Sequence, residues 1–268
     1  MSVCKRVVIA NSKGGVGKTT TVLECAAYAR MVNKKVLVVD MDPQADATKM
    51  LLNGPLDMNE KHIFHLLIGT ASLVEVVRKS SSNWNDIHII PSDLALTRLP
   101  EHISGTIGYE KILAKYLDQI SHLYDLIIID TGPQTTVLTQ LALRAADSLL
   151  IPTDTSIYSE SAIERTLSIK NQLETECNHK IELIGVIFSA HHKPNARVNK
   201  MVEGVIFEKY GNNILNIILP HCTKVLEAQR GSDETEGDMM TIPTLSIIKK
   251  DHPLFLNFKK ITETMLGG

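Results

Sequence analysis

The chain has 268 residues, a formal net charge of −2, 44% apolar and 22% charged residues, and only 4% aromatics. This composition supports one sizeable aliphatic core, expected as a single domain over 1–268, and excludes a disordered chain. The near-neutral balance also excludes a globally basic nucleic-acid binder, so any such site has to be a local patch. In chain order, "RVVIA" (6–10) is the first aliphatic run and leads through "NSKGGVGK" into "TTTVLECAAYARMV", which reads as a helix. "KVLVVD" (35–40), "IHIIP" (87–91) and "LIIID" (126–130) follow, then "SLLIP" (148–152), "LIGVIF" (183–188) and "NIILP" (216–220). Unbroken Val/Ile/Leu runs mark strands buried on both faces, and the segments between them supply the crossovers. The expected fold is α/β, a doubly wound and mostly parallel sheet with helices on both faces. "QRGSDETEGDMMTIP" (229–243) reads as a surface loop.

Cys4, Cys25, Cys177 and Cys222 form no CxxC pair, so reduced thiols are expected rather than a zinc site. No signal-peptide pattern opens the chain, and no apolar run approaches the ~20 residues of a membrane span, so a cytoplasmic protein is expected.

A strand, a glycine loop and a helix in this order make a phosphate cradle. The loop backbone at Gly14, Gly15, Val16 and Gly17 curls so that its N–H groups face phosphate oxygens at a helix N-terminus. Lys18 places a point charge on the β- and γ-phosphates. Thr19 offers its hydroxyl to Mg²⁺, and Thr20 reaches another phosphate. The strict pattern G-x-x-x-x-G-K-[ST] fails at its first position, which is Ser12. A second lysine, Lys13, stands at the outer edge of the loop and either points away from its own phosphates or is a solvated surface residue. Asp130 ends a buried strand at the sheet's carboxyl edge, where it can hold a water on Mg²⁺ or cap the turn that follows.

"KGGVGKTT" resembles the deviant Walker A motif of the ParA/MinD family of ATPases. "DMDPQADATKML" (40–51) resembles the family's first switch, and "YDLIIIDTGP" (124–133) its Walker B and second switch. "ILPHCTKVLEAQRG" resembles its base-binding loop, which would bring Pro220 to the nucleotide. The resemblance covers about residues 5–230. It implies ATP and Mg²⁺ as cofactors and two ATP molecules sandwiched in a homodimer. Lys13 would neutralise phosphate charge in the partner subunit, as an arginine finger does. Asp42 would orient the attacking water, although "DPQ" is also a turn signal. Asp40 is a candidate for the Mg²⁺ shell. The family commonly reads "DTPP" where this chain has "DTGP", and Gly132 is expected to make that turn more mobile.

Family members of this size often bind DNA non-specifically, and Lys193, Arg197, Lys200, Lys224 and Arg230 are the basic candidates here. With the first strand beginning by residue 6, no helix-turn-helix is expected ahead of the loop, as in the short ParA class. A nucleoid-associated partition ATPase is therefore expected, with hydrolysis stimulated by a ParB-like centromere-binding or cargo-adaptor protein. The alternative is a MinD-like positioning ATPase that uses "FLNFKKITETMLGG" (255–268) on a membrane. Leu256, Phe258, Ile261 and Met265 give that segment an apolar side, and packing against the sheet is the favoured reading. Reductase-type and metal-cluster-carrier relatives use paired cysteines that this chain lacks.

Overall fold

The computed structural model describes residues 3–84, 86–133, 137–189, 196–219 and 243–267. The strands are β1 (Lys5–Ile9), β2 (Val36–Met41), β3 (Arg78–Lys79), β4 (His88–Ile90), β5 (Leu126–Thr131), β6 (Ser148–Thr153), β7 (Glu182–Ser189) and β8 (Ile214–Leu219). They form one sheet in the order β3-β4-β2-β5-β1-β6-β7-β8. Every pairing is parallel except β3 with β4. Each of the seven aliphatic runs became a strand, within a few residues of its expected bounds. β3 is an addition that the sequence did not announce, because two charged residues at a sheet edge carry no aliphatic signal.

The helices among the described residues are α1 (Lys18–Met31), α2 (Asp46–Leu52), α3 (Ile63–Leu67), α4 (Leu73–Val76), α5 (Leu99–Ile103), α6 (Ile112–Ile120), α7 (Val137–Ala145), α8 (Ser159–Cys177), α9 (Ala196–Tyr210) and α10 (Pro253–Leu266). Successive strand side chains point to opposite faces, and both faces are covered. Val8, Leu37, Val39, Ile127 and Ile129 pack with residues of α3, α5, α6, α7 and α8. Val7, Ile9, Val36, Val38, Leu126 and Ile128 pack with α1, α2 and α10. Two covered faces explain why the strands read as continuous hydrophobic runs rather than as alternation.

The C-terminal segment belongs to the second of these layers. Leu254, Phe255, Phe258, Ile261 and Met265 of α10 are buried, each worth about 1.5–3 kcal/mol when fully covered. Phe255 meets Tyr28 of α1 edge-on, with ring centroids 5.7 Å apart. Leu256, expected on the apolar side, is instead exposed, and Leu254 and Phe255 take its place. The apolar face thus packs against α1 and the sheet. No described helix is long and apolar enough to cross a membrane. Glu24, buried in α1, fastens the start of this segment by accepting the Thr244 and Leu245 amides at 2.8 and 3.1 Å.

β1 sits between β5 and β6, and the strand order reverses there. In open α/β sheets, ligands bind at the carboxyl ends of the strands on either side of such a reversal. The loops after β1, β2 and β5 therefore share one edge.

Candidate nucleotide site

Gly15 (φ 71°) and Gly17 (φ 77°) adopt left-handed backbone, which glycine enters without steric cost, so the loop curls between β1 and α1. A cavity of about 760 Å³ opens over it. Gly14, Gly15, Gly17, Lys18, Thr19 and Thr20 form one wall, and Asp42, Gln44, Asp46, Lys49 and the turn at Asn53–Pro55 form the other. The loop thus brings most of its expected contacts to one cavity. Val16 is different. Its side chain is buried beneath the loop, and its carbonyl accepts the Ser189 hydroxyl at 2.8 Å.

The Lys18 side chain lies along the loop, where Nζ donates to the Lys13 carbonyl at 2.8 Å. Burial lowers its pKa, opposed by the charges of Asp130 and Asp42. An incoming phosphate would repay that desolvation. Lys13 behaves differently. Its ammonium lies outside the cavity wall, paired with Asp154 and donating to Ser156 Oγ at 2.6 Å in the turn after β6. Burial raises the Asp154 pKa, but the Lys13 and Ser159 bonds and the Ser156 amide outweigh it, so the net shift is downward. Asn11 and Ser12 fasten the same stretch of loop. Asn11 Nδ2 donates to the Pro152 carbonyl at 2.8 Å, and the Ser12 amide donates to Thr166 Oγ1 at 3.2 Å. Ser12, the departure from the strict motif, thereby anchors the loop to α8.

Asp130 is fully buried, and neither carboxylate oxygen completes a hydrogen bond to a described partner. Its pKa is raised by burial first and by the neighbouring Asp40 charge second, with the Thr19 hydroxyl beside it opposing. Such an orphaned carboxylate beside Thr19 suits a hydrated cation. No three His, Cys, Asp or Glu side chains among the described residues form a cation cage. Mg²⁺ needs no such cage, because it keeps several waters and is held together with substrate phosphates.

Asp40 pairs with Asp130 in the β2–β5 register but has a different role. Oδ1 accepts the Asp42 amide at 3.0 Å, and Oδ2 accepts the Thr48 amide and hydroxyl at 2.9 and 2.7 Å. Burial pushes its pKa up to about 7 despite these bonds. Three protein donors on its two oxygens make Asp40 an anchor for the turn after β2 and the start of α2.

Asp42 lies in a turn and also lines the cavity. Oδ1 accepts the Gln44 amide at 2.9 Å, which is the turn, and the side chain also faces the cavity. Its pKa is raised by burial, opposed by the Gln44 amide and by Lys18. Gly132 is not in left-handed backbone, and what the structure shows at this position is close packing against Asp42. A Cβ at position 132 would lie 3.0 Å from Asp42 Oδ1 and 3.2 Å from Cγ. Sequence reasoning missed Asp154 and Thr48, which lie far along the chain or in another element from the groups they bind. It also missed Lys49, whose ammonium donates to the Gln44 carbonyl at 2.6 Å on the far wall.

Of the DNA-binding candidates, Lys200 is exposed on α9, and Arg197 lies in the first turn of that helix. Lys193, Lys224 and Arg230 lie outside the described residues, as do Pro220 and nearly all of the 229–243 segment.

A protein-family model described as an AAA domain matches residues 4–183. The chromosome-partitioning ATPase Soj of Thermus thermophilus is 28% identical over 229 residues, covering 84% of each chain. An ATP complex of a McdA variant from Cyanothece superposes with a TM-score of 0.83 at 23% identity, covering 100% of this chain and 98% of McdA. Cobyrinic acid a,c-diamide synthase from Mycobacterium smegmatis, with an ATP analogue and magnesium, gives 0.76 at 21% identity, covering 97% and 93%. The structural likenesses establish the fold, and a fold by itself does not fix a function. The chain belongs to the AAA-domain family, in its ParA/MinD group of P-loop ATPases.

The contact at Gly132 gives a test of the site. Gly132→Ala is expected to fold normally, since the atoms it meets belong to one movable side chain. ATP turnover is expected to fall about tenfold, because a misplacement of ~1 Å can cost 10²-fold. Steady-state turnover measured beside a urea-unfolding midpoint checks this, and wild-type turnover would show that the seat of Asp42 is unimportant.

Proposed function

We propose that the whole chain acts as one ATP-driven partition unit that segregates or positions a plasmid, chromosome or other large cargo. The observation that carries this reading is the split of the two loop lysines. Lys18 serves the cavity of its own chain, while the Lys13 ammonium stands outside that cavity. A cation so placed is suited to the nucleotide of a second copy. ATP binding would close a homodimer with two nucleotides between the subunits. Mg²⁺, when bound beside Thr19 and Asp130, supplies charge neutralisation for the phosphates. Asp42 orients the attacking water, and its raised pKa suits a group that accepts a proton. Turnover is slow until a ParB-like partner on the cargo stimulates it.

The dimer binds nucleoid DNA non-specifically through basic residues that include Lys200 and Arg197 on α9. Soj of Thermus thermophilus, named for chromosome partitioning, supports this direction. Binding to random-sequence duplex DNA should therefore require ATP, fail with ADP or without nucleotide, and weaken steeply with salt as phosphate counterions are displaced. Absence of DNA binding in every nucleotide state would remove the DNA half of the proposal and leave the ATPase.

A further inference from the structure

We infer that Thr48 is a positioning residue for hydrolysis, acting through Asp40 on the backbone of Asp42. This rests on the proposed role of Asp42 in orienting water. The Thr48 hydroxyl is fully buried and has a single proton, which it donates to Asp40 Oδ2 at 2.7 Å. Its lone pair takes the Ser92 amide at 2.8 Å, at the carboxyl end of β4. The Thr48 amide gives Asp40 a second bond on the same oxygen, at 2.9 Å. Asp40 is thereby held from α2 and, through Thr48, from the β4 edge. Its other oxygen takes the Asp42 amide at 3.0 Å.

The rest of Asp42 is tied within its own turn. Its carbonyl accepts the Ala45 amide at 2.9 Å, and Oδ1 accepts the Gln44 amide at 2.9 Å. Ala45 itself adopts left-handed backbone at φ 56°, a conformation costing a non-glycine residue roughly 1–2 kcal/mol. A turn that carries such a cost keeps its shape only when its surroundings hold it. The bond from the Asp42 amide to Asp40 fixes the first residue of the turn against the end of β2. In a chain of hydrogen bonds each member polarises the next, so the Ser92–Thr48–Asp40 series is stiffer than its separate links. Without the Thr48 hydroxyl, the Ser92 amide loses its partner and Asp40 retains one donor fewer. The Asp42 turn can then shift while the phosphate loop, on a different strand, stays in place.

Thr48→Val keeps the shape and removes the hydroxyl. Turnover is expected to fall about tenfold, with ATP affinity and the Mg²⁺ concentration for half-maximal activity both within about twofold of wild type. Thr48→Ser is expected to recover most of the turnover. If Thr48→Val does not fold, Thr48→Cys keeps the volume with only a weak S–H donor and is expected to show the same selective loss. Wild-type turnover in the folded variant would overturn the inference. So would a shifted Mg²⁺ requirement, which would place Asp40 on the metal instead. Asp42→Ala, measured alongside, separates the two layers. It is expected to bind ATP and hydrolyse it poorly, and unchanged turnover there would remove the catalytic role of Asp42 itself.

Discussion

Lys18→Ala is expected to lose ATP binding by about two orders of magnitude or more while leaving the fold at least as stable. Lys18 is only 7% exposed, at the foot of the cavity. Its charged form is disfavoured by burial, and in the nucleotide-free chain its bond is to the Lys13 carbonyl. A hydrogen bond to a charged group contributes about 1.5–3 kcal/mol. Two such bonds to phosphate oxygens amount to at least about 3 kcal/mol, or roughly two decades in affinity. Removing the side chain also removes a desolvated ammonium, so no matching loss of stability follows. Titration with a fluorescent ATP analogue beside a thermal melt checks both parts. Retained micromolar-range affinity would overturn the loop assignment, and a collapsed melting temperature would reassign Lys18 to a structural role.

Lys13→Ala is expected to behave in the opposite sense. Its ammonium lies outside its own cavity, so ATP affinity should stay within about tenfold of wild type. The ATP-dependent dimer should weaken by at least about 100-fold, because two facing polyphosphates would then meet without their crossing cations, and like-charge juxtaposition costs several kcal/mol. In the single chain, Asp154 keeps the Ser159 hydroxyl and the Ser156 amide at 3.1 Å, so the variant remains folded. Sedimentation velocity with ATP and with ADP separates the outcomes. A wild-type dimer with ATP would remove the proposed role of Lys13 in the partner's site.

Both expectations start from residues that were readable in the chain itself. "NSKGGVGKTT" places Lys18, Thr19 and Thr20 at the start of a helix because glycines at 15 and 17 permit the left-handed turn that leads into it. The seven strands were readable because a sheet covered on both faces needs aliphatic residues at consecutive positions. Asp130 was readable from its place at the end of the most apolar of those runs.

Other features took shape only when the elements packed. Lys13 and Asp154 are separated by 141 positions, and no local pattern links them. Asp40 reads as a candidate for the Mg²⁺ shell, and its hold on Thr48 of α2 is visible only in the packed structure. Gly132 reads as a source of mobility in its turn, and only the packed structure shows that it also leaves room for the Asp42 carboxylate arriving from β2. On α10, Leu256 is expected on the apolar side, whereas the packed helix buries Leu254 and Phe255, the latter against Tyr28 of α1. The strands, the phosphate loop and the edge of the sheet that bears it are legible along the chain, since each depends on the conformational preferences and burial of neighbouring residues. Which polar side chain holds which other emerges only on packing, because those pairings join residues of separate elements.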